Sequence, residues 1–394
     1  MMIKTIRVML LPNNNQKTKL FQYAGASRWA YNWTLGRQQE SYKNGGKFIS
    51  DNDLRKELTQ LKKTEEYAWL NNVSNNVMKQ AVKDACDSYK RFFKGLSKFP
   101  RFKSRKKSAP SFYQDSIKIK FTDTHVKLEG LATSKKKNRQ VLNCVKLSEK
   151  NRIPSDCKYY NPRIKFDGLN WWITVGVDCD ENNDFSKSQT DGVGIDLGLK
   201  DLAICSDGNT YKNINKTKKV KNLKKKLRRL QRRVSKKYLV NRKGERYCKT
   251  SNIIKAEKAV LKVHKRLNGI RQNYLQQITS EIVNRKPMFI TLEDLNVSGM
   301  MKNRHLSKAI GEQSFYEFRR LIEYKANWSN IPVVIADRFY PSSKTCFECG
   351  HIHKGLKLSD RIYHCPECEN SIDRDYQASL NLKKYGEKAL QSVV

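Results

Sequence analysis

Hydrophobic positions recur along this chain with two periods, and the switches between them mark its parts. Residues 3–10 read as one strand, ended by Pro12. Leu20, Tyr23, Ala24, Ser27, Tyr31 and Leu35 then return at three- and four-residue steps, the stripe of an amphipathic helix. Further helices are predicted over 53–62 and 75–95, the latter with Val77, Ala81, Ala85, Tyr89 and Phe92 on one face. From 116 to 178 the period falls to two. Ile117, Ile119 and Phe121 alternate with lysines, and 141–147, 163–166 and 171–177 read as further strands. The expectation is a small β-rich domain that the first strand joins, with the helices inserted between that strand and the rest.

The polar run 178–191 reads as a linker, and a second pattern starts at Gly192. V-G-I-D-L-G-L-K is an apolar strand carrying one acid, Asp196, and 202–205 with 210–212 continue it as a meander turning at Asp207-Gly208. Leu223, Leu227, Leu230 and Val234 keep a 4-3-4 rhythm, which predicts a helix. Its expected partner spans 252–284, with Val260, Val263, Leu267, Ile270 and Tyr274 in step. A strand over 288–293 ends in Glu293, with Asp294 next. A helix over 307–328, a strand over 331–336 and a last helix over 375–390 complete the pattern.

Charge changes this picture most. The 394 residues carry 79 Lys+Arg against 38 Asp+Glu, a formal net charge of +41. Such a field repels itself unless a polyanion neutralises it, so nucleic acid is the expected partner and a membrane surface the weaker alternative. No apolar run approaches the 18 or so residues of a membrane span, and neither a signal peptide nor a lipidation signal is read. Residues 216–249 hold seventeen Lys/Arg and one acid, Glu245. Two long antiparallel helices there would present a cationic wall, with Lys224, Arg228, Arg229, Arg232 and Arg233 as candidate phosphate contacts. Arg28, Trp29, Tyr31 and Asn32 form a basic and aromatic cluster that either stacks on bases or packs as core. F-P-R-F-K-S-R-K-K-S at 99–108 interleaves aromatics with Arg101, Lys103, Arg105 and Lys106 and reads as a loop on a phosphate backbone.

Two clusters carry chemistry. Cys346/Cys349 and Cys365/Cys368 are Cys-x-x-Cys pairs with fifteen residues between them, the spacing of a zinc ribbon. Four thiolates fill a tetrahedral shell at about 2.3 Å and leave no open position, so a structural Zn2+ is expected. His351, His353 and His364 are not needed as ligands. Cys86, Cys144, Cys157, Cys179, Cys205 and Cys248 follow no pattern and read as reduced residues of a cytosolic protein. The second cluster is acidic: Asp196 and Glu293 on strands, and Asp375, after Asp373, at the last helix. Three gathered carboxylates repel by about 1–4 kcal/mol per pair at 4 Å, so cations must hold them. Mg2+ suits oxygen ligands, and a pair of ions is the arrangement that hydrolyses phosphodiesters.

G-I-D-L-G at Asp196, L-E-D-L-N-V at Glu293, P-S-S-K-T-C-x-x-C-G before the ribbon and D-R-D-Y-Q-A-S-L-N-L after it resemble the TnpB family of transposon-encoded, RNA-guided DNA nucleases, relatives of type V CRISPR effectors. The resemblance spans nearly the whole chain and is looser at Y-N-W and F-P-R-F-K-S. It implies an α/β and β multi-domain protein: an N-terminal β-barrel-like wedge domain (1–12 and 109–185) with a helical recognition insertion (13–108), then an RNase H-like RuvC domain (186–340 and 370–394) with a basic helical insertion (216–285) and an inserted zinc ribbon (341–369). Asp196, Glu293 and Asp375 would be its catalytic triad on two Mg2+, with Asp373 at most supporting. Relatives usually read D-R-D-x-N-A-A, whereas this chain has Gln377 and Ser379 around Ala378. The implied partners are a guide RNA from the transposon's own end and a double-stranded DNA target beside a short motif. The implied setting is a monomer in a bacterial or archaeal cytoplasm, acting at the nucleoid. An RNA-guided repressor that binds without cutting is the alternative, against which the intact triad argues. A strand-joining transposase lacks the His-x-His design it would need outside the ribbon loop.

Overall fold

A computed structural model describes residues 2–130, 143–179, 190–244, 246–357 and 360–391. It divides into two units, 1–182 and 183–394. The expected linker at 178–191 falls almost wholly outside the described residues.

In the first unit, β1 (Met2–Leu11) leads to three helices, α1 (Asn14–Lys43), α2 (Asp51–Leu61) and α3 (Asn75–Phe93), with a 3-10 segment at Glu65–Asn72. Six strands follow: β2 (Ser111–Tyr113), β3 (Lys120–Phe121), β4 (His125–Lys127), β5 (Cys144–Leu147), β6 (Tyr159–Phe166) and β7 (Trp171–Cys179). They form one antiparallel sheet in the order β2-β6-β7-β1-β5-β4-β3. The first strand therefore does join the later ones: Ile6 lies opposite Val175 and Val8 opposite Ile173, all four buried. Asn13 starts α1 with a capping box, accepting from Gln16 N while the Gln16 side chain accepts from Asn13 N. The apolar stripe Leu20, Tyr23, Ala24, Leu35 packs in one core with Val77, Ala81 and Cys86 of α3 and the sheet's inner face. Arg163 of β6 ties α3 to the sheet through a two-pronged pair with Asp84.

One period-two signal misled. Ile117, Ile119 and Phe121 alternate in sequence, yet only Lys120–Phe121 pairs. Asp115 accepts from the N–H groups of Ile117 and Lys118, folding the chain into a turn that leaves Ile117 87% exposed.

The second unit opens with β8 (Val193–Leu197), β9 (Asp201–Cys205) and β10 (Thr210–Lys212). Then come α4 (Lys218–Val240), a small ribbon of β11 (Arg242–Lys243) and β12 (Arg246–Tyr247), and α5 (Ser251–Asn284). β13 (Ile290–Glu293), α6 (Val297–Met300), α7 (Ser307–Gln313), α8 (Phe315–Trp328) and β14 (Val333–Ala336) lead to the hairpin β15 (Ile362–His364)–β16 (Ser371–Asp373) and to α9 (Arg374–Gln391). The main sheet runs β10-β9-β8-β13-β14, with β8, β13 and β14 parallel and β9 and β10 antiparallel.

The expected single helix over 307–328 is two. Ser314 adopts a left-handed φ of 59° between them. In one continuous helix Ile310 and Phe315 would point about 140° apart. The break lets both enter the same core. Helix α4 pairs with α5 as its rhythm predicts, Leu223, Leu227, Leu230 and Ile270 packing around Val220, Val263 and Leu267. No helix among the described residues is long and apolar enough to cross a membrane.

Candidate functional site

Asp196 is the fourth residue of β8 and Glu293 the last of β13. Ile195 lies opposite Leu292 in that parallel pair, so the two acids emerge side by side at the strands' C-terminal ends. Asp375 arrives from a third direction, in the first turn of α9. That helix lies unusually close to the sheet because of two glycines. A Cβ on Gly194 would sit 2.1 Å from Ser379 O and 2.3 Å from Lys383 N, and one on Gly386 would sit 2.1 Å from Thr291 Oγ1. The glycine of G-I-D-L-G is thus what lets the acid-bearing helix settle on the acid-bearing strand.

Asp196 feels both of the other acids. Burial raises the Asp196 carboxyl well above its usual range, and the charges of Glu293 and Asp375 raise it further, opposed by Arg374. Glu293 is also raised by burial, while a hydrogen bond from Ser342 Oγ to Oε1 at 2.6 Å works to lower it. Arg374 holds Asp375 at 3.1 Å, and Arg361 stands 3.8 Å away. The neighbouring acids have other work. Asp373 Oδ1 accepts from Asp375 N and Tyr376 N, both at 3.0 Å, and so caps α9. Asp294 is bound by Arg319 and Arg338, which hold it below the usual carboxylate range. A cleft of about 410 Å3 runs beside Glu293, between Asp294 and the loop 336–344.

Ser342 was not singled out in sequence beyond its motif. It is buried, and Asn381 Nδ2 of α9 donates at 2.7 Å to Ser342 O and to Thr345 O. One asparagine thus fastens the loop that orients Glu293 to the helix that carries Asp375. The only advance signal lay in P-S-S-K-T and in the N of S-L-N, which the sequence alone could not connect.

Thr345 leads into the cysteine cluster. The four thiol sulfurs lie within 4.8 Å of one another, Cys346–Cys368 at 3.6 Å and Cys349–Cys365 at 3.5 Å. A tetrahedron with 2.3 Å arms has edges of roughly 3.8 Å, so this set fits one Zn2+ and no disulfide. Among the described residues it is the only Cys/His/acid set gathered tightly enough to share one ion. Each knuckle turns through a left-handed residue, Gly350 in the first and Glu369 in the second. The nearby histidines are engaged elsewhere, His351 near Glu367 and His353 against His364 O.

The candidate nucleic-acid residues divide. Tyr31 is buried and donates to Ser88 Oγ at 3.2 Å, with the Lys103 ammonium 3.5 Å from its ring centre. Asn32 accepts from Lys103 N and donates to Lys103 O, both at 2.8 Å, pinning the 99–108 loop to α1. Trp29 packs with Trp33, Tyr67 and Trp69. Tyr31, Asn32 and Lys103 therefore hold the loop in place, and Trp29 belongs to a partly buried aromatic cluster. Lys224 is half-buried against Glu312 at 2.6 Å, an acid that Arg271 also approaches at 3.3 Å. Arg101 and Arg228 stand exposed. Arg229, Arg232 and Arg233 line a cleft of about 570 Å3 with Lys236 and Lys237. Arg28, Arg105 and Lys106 share another, of about 1070 Å3, with Lys107 and Lys165, which sequence reading did not mark.

Comparison with known proteins adds a family. Residues 177–304 match the family described as "Probable transposase", 315–382 the "Cas12f1-like, TNB domain", and 1–47 a "Helix-turn-helix domain". In the last stretch the structure has a strand and one unbroken helix. A protein of Escherichia coli (strain K12) named "Putative RNA-guided DNA endonuclease InsQ" is 27% identical over 98% of this chain and 93% of its own length. A Streptomyces pristinaespiralis protein named "Putative RNA-guided DNA endonuclease" is 29% identical over 97% and 89%. Among solved structures, a Cas12f1–sgRNA–target DNA complex matches at TM-score 0.60 and 15% identity, over 94% of this chain and 82% of that one. The mini-RNA-guided endonuclease CRISPR-Cas_phi3 matches at TM-score 0.51 and 12% identity, over 97% and 92%. These likenesses show a shared mixed α/β, multi-domain fold.

Proposed function

The chain belongs to the TnpB family, and from that premise we propose that it is an RNA-guided DNA endonuclease, directed by a guide RNA to double-stranded DNA. One observation carries the reading: the ends of β8 and β13 and the start of α9 bring Asp196, Glu293 and Asp375, far apart in sequence, near enough for the other two acids to act on the Asp196 carboxyl. Base pairing with the guide would read the target, and the protein would read only a short motif beside it. The guide would derive from the transposon's own end.

The sheet order β10-β9-β8-β13-β14, with three parallel central strands, supports an RNase H-like domain of the RuvC type. The seven-stranded antiparallel sheet supports a wedge domain, α1–α3 a recognition domain, and the 341–369 segment a zinc ribbon. The protein would work as a monomer at the nucleoid of a bacterial or archaeal cell.

The donor set suits divalent cations by its oxygen chemistry, although its three carboxylates are not gathered as tightly as the four thiols and would have to draw in around an ion. Burial, and after it the neighbouring acids, raise Asp196; a cation would offset both, and carboxylate oxygens suit Mg2+. Two such ions, when bound, supply nucleophile activation and neutralise charge at the leaving 3′ oxygen. The protein's own work is placement. β8 and β13 present Asp196 and Glu293 together, Ser342 fixes the Glu293 carboxylate, Arg374 steadies Asp375, and the Asp373 cap sets where α9 begins. Opening the second DNA strand at the same site after the first would cut the duplex.

The test is to express the protein with its native flanking DNA, sequence the RNA that co-purifies, and assay guided cleavage. One discrete RNA with a folded constant part and a variable 3′ end is expected, with Mg2+-dependent cutting lost in Asp196→Ala while RNA binding stays. Cutting by Asp196→Ala would sink the site assignment, and a smear of cellular RNA would sink the guide.

A further inference from the structure

A charged cleft of the first unit is lined by an aromatic ring as well as by cations. About 1070 Å3 in volume, it opens between α1, residues 105–110 and the turn after β6. Arg28, Arg105, Lys106, Lys107 and Lys165 line it, and among the described residues none of the five is paired with a carboxylate. The one acid in the wall, Asp167, is engaged internally. Its Oδ1 accepts from Leu169 N and Asn170 N, and its Oδ2 from Trp172 Nε1. The cleft is therefore cationic toward any occupant.

Phe21 lies in this cleft. It is 44% exposed although it belongs to the aromatic stack that closes the core, 5.1 Å from Phe166 and 4.9 Å from Trp171, edge-to-face with both. Those two rings hold it rigid while part of its surface stays in the cleft. A partly bare ring sharing a cleft with five cations suits a ligand that is anionic at its edges and flat and aromatic at its centre. A base inside a duplex keeps its faces on its neighbours, so only an unpaired base can use the ring.

We propose that this cleft is a subsite for an unpaired nucleotide, its base against Phe21 and its flanking phosphates on Arg28, Lys107 and Lys165. This rests on the nuclease reading above for its source, which is either the guide RNA or a displaced or unwound DNA strand. The chemistry of recognition is the same for both.

The experiment places the photo-crosslinking amino acid p-benzoylphenylalanine at position 21 of the full protein and irradiates the assembled guide–target complex. The same residue at Ile117, exposed elsewhere on this unit, gives the background. A crosslink at one defined nucleotide is expected; RNA names the guide as the source and DNA the target. Crosslinking no stronger than at Ile117, in a complex that still cleaves, overturns the subsite and leaves the nuclease reading standing. If no guided cleavage exists, irradiation with a single-stranded oligonucleotide decides: a crosslink that double-stranded competitor does not remove keeps the subsite without that reading, and none ends both. Phe21→Leu, which keeps apolar packing, should weaken single-strand binding roughly tenfold with an unchanged salt slope, and Phe21→Trp should restore it. Lys107→Glu with Lys165→Glu should instead flatten the salt slope by about two. Unchanged binding in folded Phe21→Leu would count against the base contact.

Discussion

Ser342 donates its one hydroxyl proton to Glu293 while Asn381 grips its carbonyl, so one small side chain sets the carboxylate's angle. Ser342→Ala should leave folding and zinc content intact and lower the cleavage rate by about 10- to 100-fold, the usual effect of losing a partner that orients a metal ligand. Single-turnover cleavage at saturating Mg2+ would measure it, and an unchanged rate would make the bond incidental. Reading residues in isolation served this scale unevenly. Asp196 and Glu293 stood out because each interrupts or ends an apolar strand, and Asp375 because it sits in the D-R-D run at the start of the last helix. Asn32 and Lys103 were marked as nucleic-acid contacts because their composition is that of a binding loop, and folding gives them a structural role as well. Their partners, each other's amide and carbonyl groups and the Tyr31 ring, are set by folding.

Two elements carry predictions of their own. Helix α8 is stitched to α5 by Lys325, whose ammonium donates to Gln276 O, Thr279 Oγ1 and Ser280 Oγ at 2.7–2.9 Å. Burial lowers its pKa to about 8. A lysine with a folded pKa below its unfolded value of about 10.4 is charged more readily in the unfolded chain. Its contribution opposes folding at low pH, and stability should rise as pH climbs from about 8 toward 10.4. Thermal unfolding of Lys325→Met beside the parent would show it: the variant should lack this part of the pH slope, and parallel slopes would refute it. The hairpin that carries Cys365 and Cys368 is the second element. β16 ends at Asp373 and α9 begins at Arg374, so the metal site and the Asp375-bearing helix share a continuous backbone. Stripping the metal should make residues 341–373 sensitive to limited proteolysis and abolish cleavage, while the β8–β13–β14 sheet and the first unit stay protected. Cleavage that survives a verified loss of zinc would separate the two.

Across the whole molecule the governing quantity is the charge of +41. Binding of the RNA–DNA assembly should fall linearly in log affinity against log salt, and the slope should shrink by about one for each of Arg229, Arg232 and Arg233 replaced by alanine, measured by filter binding. Lys224→Ala should differ, because that lysine is engaged with Glu312: the expected effect is on the joint between α4 and α7, with little change in salt slope. A full unit of slope lost at Lys224 would place it on the nucleic acid after all.

The sequence by itself determined what is local or periodic. The α4–α5 pair followed from its heptad-like rhythm, the four-cysteine cluster from the spacing of its knuckles, and the strand-borne acids from the interruption of apolar runs. Only the tertiary structure decided what depends on approach between distant segments. Gly194 on β8 and Gly386 on α9 carry no local signal of the close approach between that helix and the sheet, and nothing local connects Ser342 to Asn381. Ser314 broke a helix whose periodicity ran on, because two core positions five residues apart needed the same direction. No local pattern marked Phe21, which the loop and the β6–β7 turn leave partly bare among cations. Periodicity records which face of an element is buried. Which faces then meet, and which polar groups find each other there, is set by packing that no local pattern contains.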